Sequence, residues 1–346
     1  MEIGISTFVE TSPDPQTGEV MSHAQRLREV VEEIVLADKV GLDVYAVGEH
    51  HREDYAASNP ALVLAAAATQ TKRIRLSSAV TVLSSDDPIR VFQAFATVDG
   101  LSEGRAEIMA GRGSFIESFP LFGYDLNDYH ELFEEKLALL LRLRESEKVQ
   151  WPGGKHTSAI PGLGVYPRPV QSPLPVWIAS GGTPESVVRA GQLGLPLALA
   201  IIGGQPAQFA PLVQLYKRAA ERAGHDPSKL TVASHSHGFV ADTNEQAVEQ
   251  FFPSTQSVMN KIGQERGWPP YTRDSYDAAR SRQGALYVGD PETVATKIID
   301  LHRNVGITRF LIHMPLGTMP HDQVMRAIEL LGTEVAPRVR EALANQ

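Results

Sequence analysis

The residue types able to do chemistry gather in a few places along this chain. One is Glu49-His50-His51, directly after Val44-Tyr45-Ala46-Val47-Gly48. Apolar residues that include β-branched and aromatic side chains read as a short buried strand. That strand delivers an acid and two imidazoles at its carboxyl end. Imidazole titrates near neutral pH and can donate, accept or bind a metal; a hydrogen-bonded pair supporting a loop is the plainer alternative. A second place is Ser180-Gly181-Gly182-Thr183-Pro184-Glu185-Ser186, a glycine turn entering a helix. Glycines permit close backbone approach, and free N–H groups at a helix start favour an anion. Ser180, Thr183 and Ser186 add hydroxyls, although an ordinary helix capped by Thr183 has the same pattern. A third is Arg112, between Gly111 and Gly113. A planar, permanently charged guanidinium suits a phosphate dianion, or a surface ion pair. His235 and His237 share one face of a strand, because alternate residues do. With His50 and His51 they could hold a metal, but no carboxylate stands at ligand spacing beside them, and no metal is expected.

Overall composition narrows the options. The chain has 346 residues, 42% hydrophobic and 21% charged, enough for a packed core in one large α/β domain or two ordinary ones. Acidic residues outnumber basic ones 41 to 32, a net −9, which disfavours a nucleic-acid backbone binder. No cysteine is present, so thiolate catalysis, disulfides and cysteine metal sites are excluded. The residues Met1 to Phe8 lack the pattern of a signal peptide, and Ala61 to Ala68 is too short to span a bilayer. A cytoplasmic protein without membrane partners is expected.

The elements that must position these groups alternate. Strands are predicted at Glu2–Phe8, the Val44 run, Ile74–Leu83, Arg105–Ala110, Pro175–Ala179, Leu197–Ile202, Thr231–Val240 and Thr308–His313. Leu27, Val30, Val31, Ile34 and Val35 follow the i, i+3, i+4 spacing of an amphipathic helix. Further helices are predicted over Ile89–Leu101, Glu131–Arg144, Pro184–Leu193, Phe209–Ala223 and Thr293–Asn304, with a last one after Asp322. Asn59-Pro60, Asp87-Pro88, Thr183-Pro184 and Asp290-Pro291 each set a capping side chain before a proline, the signature of a helix start. Alternating strands and helices at this length predict a TIM (β/α)8 barrel, with an open doubly wound sheet as the alternative. A single domain over 1–346 is expected, with insertions near 112–175 and 241–288. Phe115–Asp128 and Trp151–Pro173 read as loops. Asp242–Leu286 reads as a helix opened by the capping box Thr243-Asn244-Glu245-Gln246, followed by a polar stretch from Gly263 to Gly284. Such excursions are lids, subunit contacts or plain surface.

Together these pieces resemble the bacterial luciferase-like flavin monooxygenases. The resemblance is carried, in order, by Gly41-Leu42-Asp43 to Glu49-His50-His51, Asn59-Pro60 and Ser78-Ala79-Val80-Thr81-Val82-Leu83 with Asp87-Pro88-Ile89-Arg90. It continues through Ser102-Glu103-Gly104-Arg105 leading to Gly111-Arg112-Gly113, Pro175 to Ser186, and Gly289-Asp290-Pro291-Glu292-Thr293-Val294. It implies a TIM barrel that binds reduced FMN and uses dioxygen to oxygenate a small organic substrate, often with a separate flavin reductase and as a homodimer. It implies flavin phosphate at Arg112 and at Ser180, Gly181, Gly182, Thr183 and Ser186. It also implies a non-proline cis peptide at Ala79-Val80 supporting the flavin ring, and His50 near the reactive flavin edge as the catalytic group, with Glu49 and His51 in support. Where the luciferase α subunit has a cysteine this chain has Gly111, so no thiol effect carries over, nor do light emission and long-chain aldehydes. A branch of the same fold uses a deazaflavin coenzyme for hydride transfer, and that is the nearest rival. A non-catalytic flavin-binding protein and a metal-dependent barrel hydrolase are the others.

Overall fold

The computed structural model describes residues 1–113 and 115–344. Eight parallel strands close into a barrel: β1 Glu2–Thr7, β2 Val44–Val47, β3 Arg75–Ser78, β4 Ala106–Gly111, β5 Val176–Ser180, β6 Leu197–Ala200, β7 Val232–Val240 and β8 Arg309–His313. They lie side by side in chain order. β8 returns to β1 with Glu2 opposite Arg309, and β6 pairs β7 with Leu197 opposite Val232. That closure rules out the open sheet. Alternate residues face inward, so Val44, Ala46, Met109, Trp177, Ala198, Ala233 and Leu311 form a compact core in the lumen. A larger apolar layer lies between the strands and the surrounding helices.

Those helices are α1 His23–Lys39, α2 Pro60–Ala68, α3 Pro88–Leu101, α4 Tyr129–Glu145, α5 Pro184–Gln192, α6 Ala210–Arg222, α7 Asn244–Arg266, α8 Pro291–Val305 and α9 His321–Leu330. The predicted proline starts are all real, but only half of the caps are. Asp87 accepts from the Ile89 and Arg90 N–H groups, and Asp290 accepts from Thr293 N–H. Asn59 and Thr183 cap nothing. The Thr183 hydroxyl turns instead to Ser186 Oγ at 2.9 Å. At the amino end of the barrel Arg309 binds Glu107 at 2.6 Å and Glu2 at 2.7 Å, with its guanidinium 4.2 Å from the Trp177 ring centre. The opposite end is left for the site.

The insertions carry more regular structure than their composition suggests. Lys148–Trp151 and Ile160–Gly164 form an antiparallel hairpin whose second strand lies inside the Trp151–Pro173 stretch read as loop. Arg273–Arg280 is a helix capped by Thr272 within the segment read as polar loop. Tyr287–Gly289 adds a short strand beside β7. Of the predicted Thr243 box the cap half is present, the Thr243 hydroxyl accepting from Gln246 N–H. The predicted strand Ile74–Leu83 is interrupted: β3 stops at Ser78, the Ala79–Val80 peptide is cis, and Thr81–Val82 resumes against Ala110 and Gly111.

Candidate active site

At the carboxyl ends of the strands lies a cavity of about 370 Å³. Residues from the first seven strands and the segments after them line it: Phe8, Glu49, His50, Ala79, Val80, Met109, Gly111, Arg112, Tyr129, Ala179, Ser180, Gly181, Thr183, Ala198, His235 and His237 among them. Barrel enzymes place their chemistry at this end.

One end of the cavity is polar and cationic. Arg112 leaves the end of β4 and donates to Ser186 Oγ at 3.2 Å and to His130 Nδ1 at 2.7 Å. A guanidinium only donates, so His130 accepts through Nδ1 in this contact. The Arg112 guanidinium stands 5.1 Å from the Tyr129 ring centre. Opposite it, Ser180 Oγ accepts from Gly182 N–H at 3.1 Å, fixing the turn in which Gly182 takes φ +104°. That backbone favours glycine. α5 then begins, and the N–H groups of its first turn have no intrahelical partner.

The floor is apolar. Gly111 matters here through contact: a Cβ at this position would lie 2.8 Å from Val80 Cγ2. The residue beside Arg112 is therefore small because the Val80 side chain occupies the space. Glu49 secures the same region. It accepts from Val82 N–H at 2.9 Å and bonds His51 Nε2 at 2.9 Å. Glu49 and His51 thus hold the strand that resumes after Val80.

The opposite wall is a group of imidazoles around Phe8. His50 is buried, and its Nε2 has no hydrogen-bond partner. Its ring centre lies 4.5 Å from Phe8, 4.4 Å from Tyr55 and 5.1 Å from Phe115. Burial, with His313 nearby, pushes its pKa down to about 3, so the ring is neutral at neutral pH. His313 Nε2 bonds Glu10 at 2.9 Å, both buried, and stacks on His235 at 5.1 Å. Ser6 Oγ is 3.3 Å from His235 Nε2.

The sequence-derived positions converge. His50, Ala79, Val80, Arg112, Ser180, Gly181 and Thr183 all line this cavity. Ser186 joins through Arg112, and Gly182 shapes the turn. Sequence reasoning missed Phe8, Glu10, Tyr129, His130 and His313. His313 carried a usable signal, because it closes a strand as His50 follows one. Tyr129 and His130 carried none, since they meet Arg112 only through the fold. Among the described residues, the ligand atoms that gather closely enough for a metal belong to Asp128, Glu131 and His156, away from this cavity, where the Lys155 ammonium already binds both carboxylates. No helix among the described residues is long and apolar enough to cross a membrane.

A closed eight-stranded barrel with its cavity at the carboxyl ends of the strands is the architecture of a TIM-barrel enzyme. The chain belongs to the luciferase-like monooxygenase family, whose model matches residues 1–309. It is 27% identical over 322 residues to 4-hydroxyprotoasukamycin monooxygenase of Streptomyces nodosus subsp. asukaensis, covering 88% of this chain and 85% of that one. The oxygenating constituent of 3,6-diketocamphane monooxygenase from Pseudomonas putida, solved with FMN, superposes with a TM-score of 0.77 at 21% identity, covering 98% of each chain. The coenzyme F420-dependent tetrahydromethanopterin reductase of Methanopyrus kandleri gives 0.74 at 19% identity, covering 98% of this chain and 100% of that one. Membership of this family makes the chain an oxidoreductase.

Proposed function

We propose that the cavity holds FMN and that the protein uses reduced FMN and dioxygen to oxygenate a small organic substrate. The observation that carries this reading is the pairing of Arg112 with Ser186 at the start of α5, in the same cavity as the unpartnered His50 Nε2. Arg112, the Ser180, Thr183 and Ser186 hydroxyls and the Gly181 N–H would hold a phosphate, with Gly182 shaping the turn around it. Ala79 and Val80 offer an apolar bed for a flat ring. Reduced flavin supplies the electrons and the oxygen activation. His50, neutral and free at Nε2, would hold or give a proton at the oxygen or at the substrate, and is the catalytic residue in this reading. Phe8, Tyr55 and Phe115 pack against the His50 ring and hold it in place.

The rival is hydride transfer from a deazaflavin, favoured by the F420-dependent relatives. Two observations weigh for FMN. Arg112 is the one arginine or lysine among the residues lining the cavity, and the neighbouring Arg189 is already held by Glu134. A monophosphate fits that supply of charge better than a long anionic tail. The reading extends to a cytoplasmic homodimer, one domain over 1–346, with a separate reductase supplying reduced FMN. The test is retention under nitrogen. Protein mixed with reduced FMN or reduced deazaflavin is desalted, and the bound cofactor is measured before and after adding oxygen. Retained FMN that consumes oxygen is expected. Retention of deazaflavin alone, without oxygen uptake, would move the chain to the hydride-transfer branch.

A further inference from the structure

Hydrogen-bond accounting on the wall away from Arg112 bears on the substrate. His235 and His237 sit two residues apart on β7 and both line the cavity. Their neighbours on β6 are small: Ala198 lies opposite Ala233 and Ala200 opposite His235. This leaves room in front of the rings. His235 spends one nitrogen on Ser6, and among the described residues His237 has a hydrogen-bond partner at neither nitrogen. With His50 Nε2, the wall presents several imidazole nitrogens that no protein group bonds. Buried polar groups rarely go without partners, and His50 Nε2 is such a group, whereas the half-buried His235 and His237 open onto the cavity.

The charge of this wall is equally defined. Burial and the neighbouring His313 push His237 down to about 3 and carry His235 well below its ordinary value. Neutral imidazole donates through one nitrogen and accepts through the other. The lining residues offer no lysine, and the one arginine stands at the other end. The one carboxylate, Glu49, is committed to His51 and Val82 N–H. A carboxylate or phosphate would find no cation here, and an amine would find no free acid. The remaining surface is aromatic, with Phe8 packed 5.8 Å from His235 and 4.5 Å from His50.

We infer that His235 and His237 are specificity-determining residues that read a hydroxyl on an uncharged aromatic substrate, a phenol-type ring lying against Phe8 with its O–H bound by an imidazole nitrogen. This deepens the flavin reading and rests on it for the placement of the cofactor at the Arg112 end.

The test is calorimetric titration of FMN-loaded protein with 2-naphthol, 2-methoxynaphthalene and 2-naphthoate. 2-Naphthol should bind about tenfold tighter than its methyl ether, the scale of one or two hydrogen bonds left unmade, and naphthoate should be weakest. His237→Phe should shrink that gap to about threefold or less while FMN affinity stays unchanged. His237→Gln, which keeps a donor and an acceptor, should retain more of it. Equal binding of naphthol and ether, tightest binding of naphthoate, or a gap that survives both His235→Phe and His237→Phe would overturn the inference. If FMN itself does not bind, the flavin reading fails. The same titrations on the cofactor-free protein then decide the histidine claim separately.

Discussion

His50 combines burial, a neutral ring and an open Nε2, and these make distinct predictions. His50→Gln should leave FMN affinity within about threefold, because the ring makes no contact with the Arg112 end, yet slow turnover by about 10²-fold, the usual worth of a positioned proton donor. Unchanged turnover would remove His50 from catalysis. The same residue makes stability depend on pH. Unfolded histidine binds its proton near pH 6.5, whereas folded His50 and His237 do so at about 3. Between those values the unfolded state holds more protons, so stability falls as pH drops from about 6.5 toward 3. Urea midpoints measured across that window should decline more steeply for the wild type than for His50→Gln. Parallel slopes would contradict the buried-neutral assignment.

Among elements, the junction from β3 to Thr81–Val82 depends on contacts at either side. Glu49 holds Val82 N–H, and Gly111 yields its side-chain space to Val80. Gly111→Ala forces a methyl group against Val80 and should cost about 1–3 kcal/mol in urea unfolding, with weakened flavin binding. An unaltered unfolding midpoint would show that Val80 has room to shift. The segment was legible only in part. Its apolar run gave the strand, but the interruption at Ala79–Val80 came from family resemblance, because no local propensity marks it. Thr183 teaches the same point at a helix start. Its type and its place before Pro184 are those of a cap, yet its hydroxyl is drawn to Ser186, beside Arg112. The competition between a cap and a site cannot be read from spacing. The insertions failed differently: the hairpin at Lys148–Trp151 and Ile160–Gly164 is short, exposed and interrupted by Pro and Gly, so no alternation announced it.

At the scale of the molecule, the two ends of the barrel divide stability from chemistry. The amino end is tied by Arg309, which is buried with Glu107 and packed on Trp177. Removing Glu107 leaves the buried Arg309 with only the half-exposed Glu2 beside it, so Glu107→Leu should cost about 3 kcal/mol of stability, the low end for breaking a buried pair. FMN affinity should hardly change in the folded fraction. The eight-strand alternation was plain in the sequence because buried parallel strands are long apolar runs bounded by helix starts. The assembly of the carboxyl end was not, because His313 reaches Glu10 and Phe8 only when β8 closes on β1, and Phe8 in turn packs on His50. The proposed flavin phosphate at Arg112 ties the residue scale to this end of the barrel. Its most direct test is the affinity of wild type and Arg112→Ala for FMN and for riboflavin, which lacks the phosphate. The wild type should prefer FMN, and Arg112→Ala should lose at least about tenfold for FMN, as expected for a charge-assisted hydrogen bond, with little change for riboflavin. Equal losses for both ligands, or no loss for either, would contradict it.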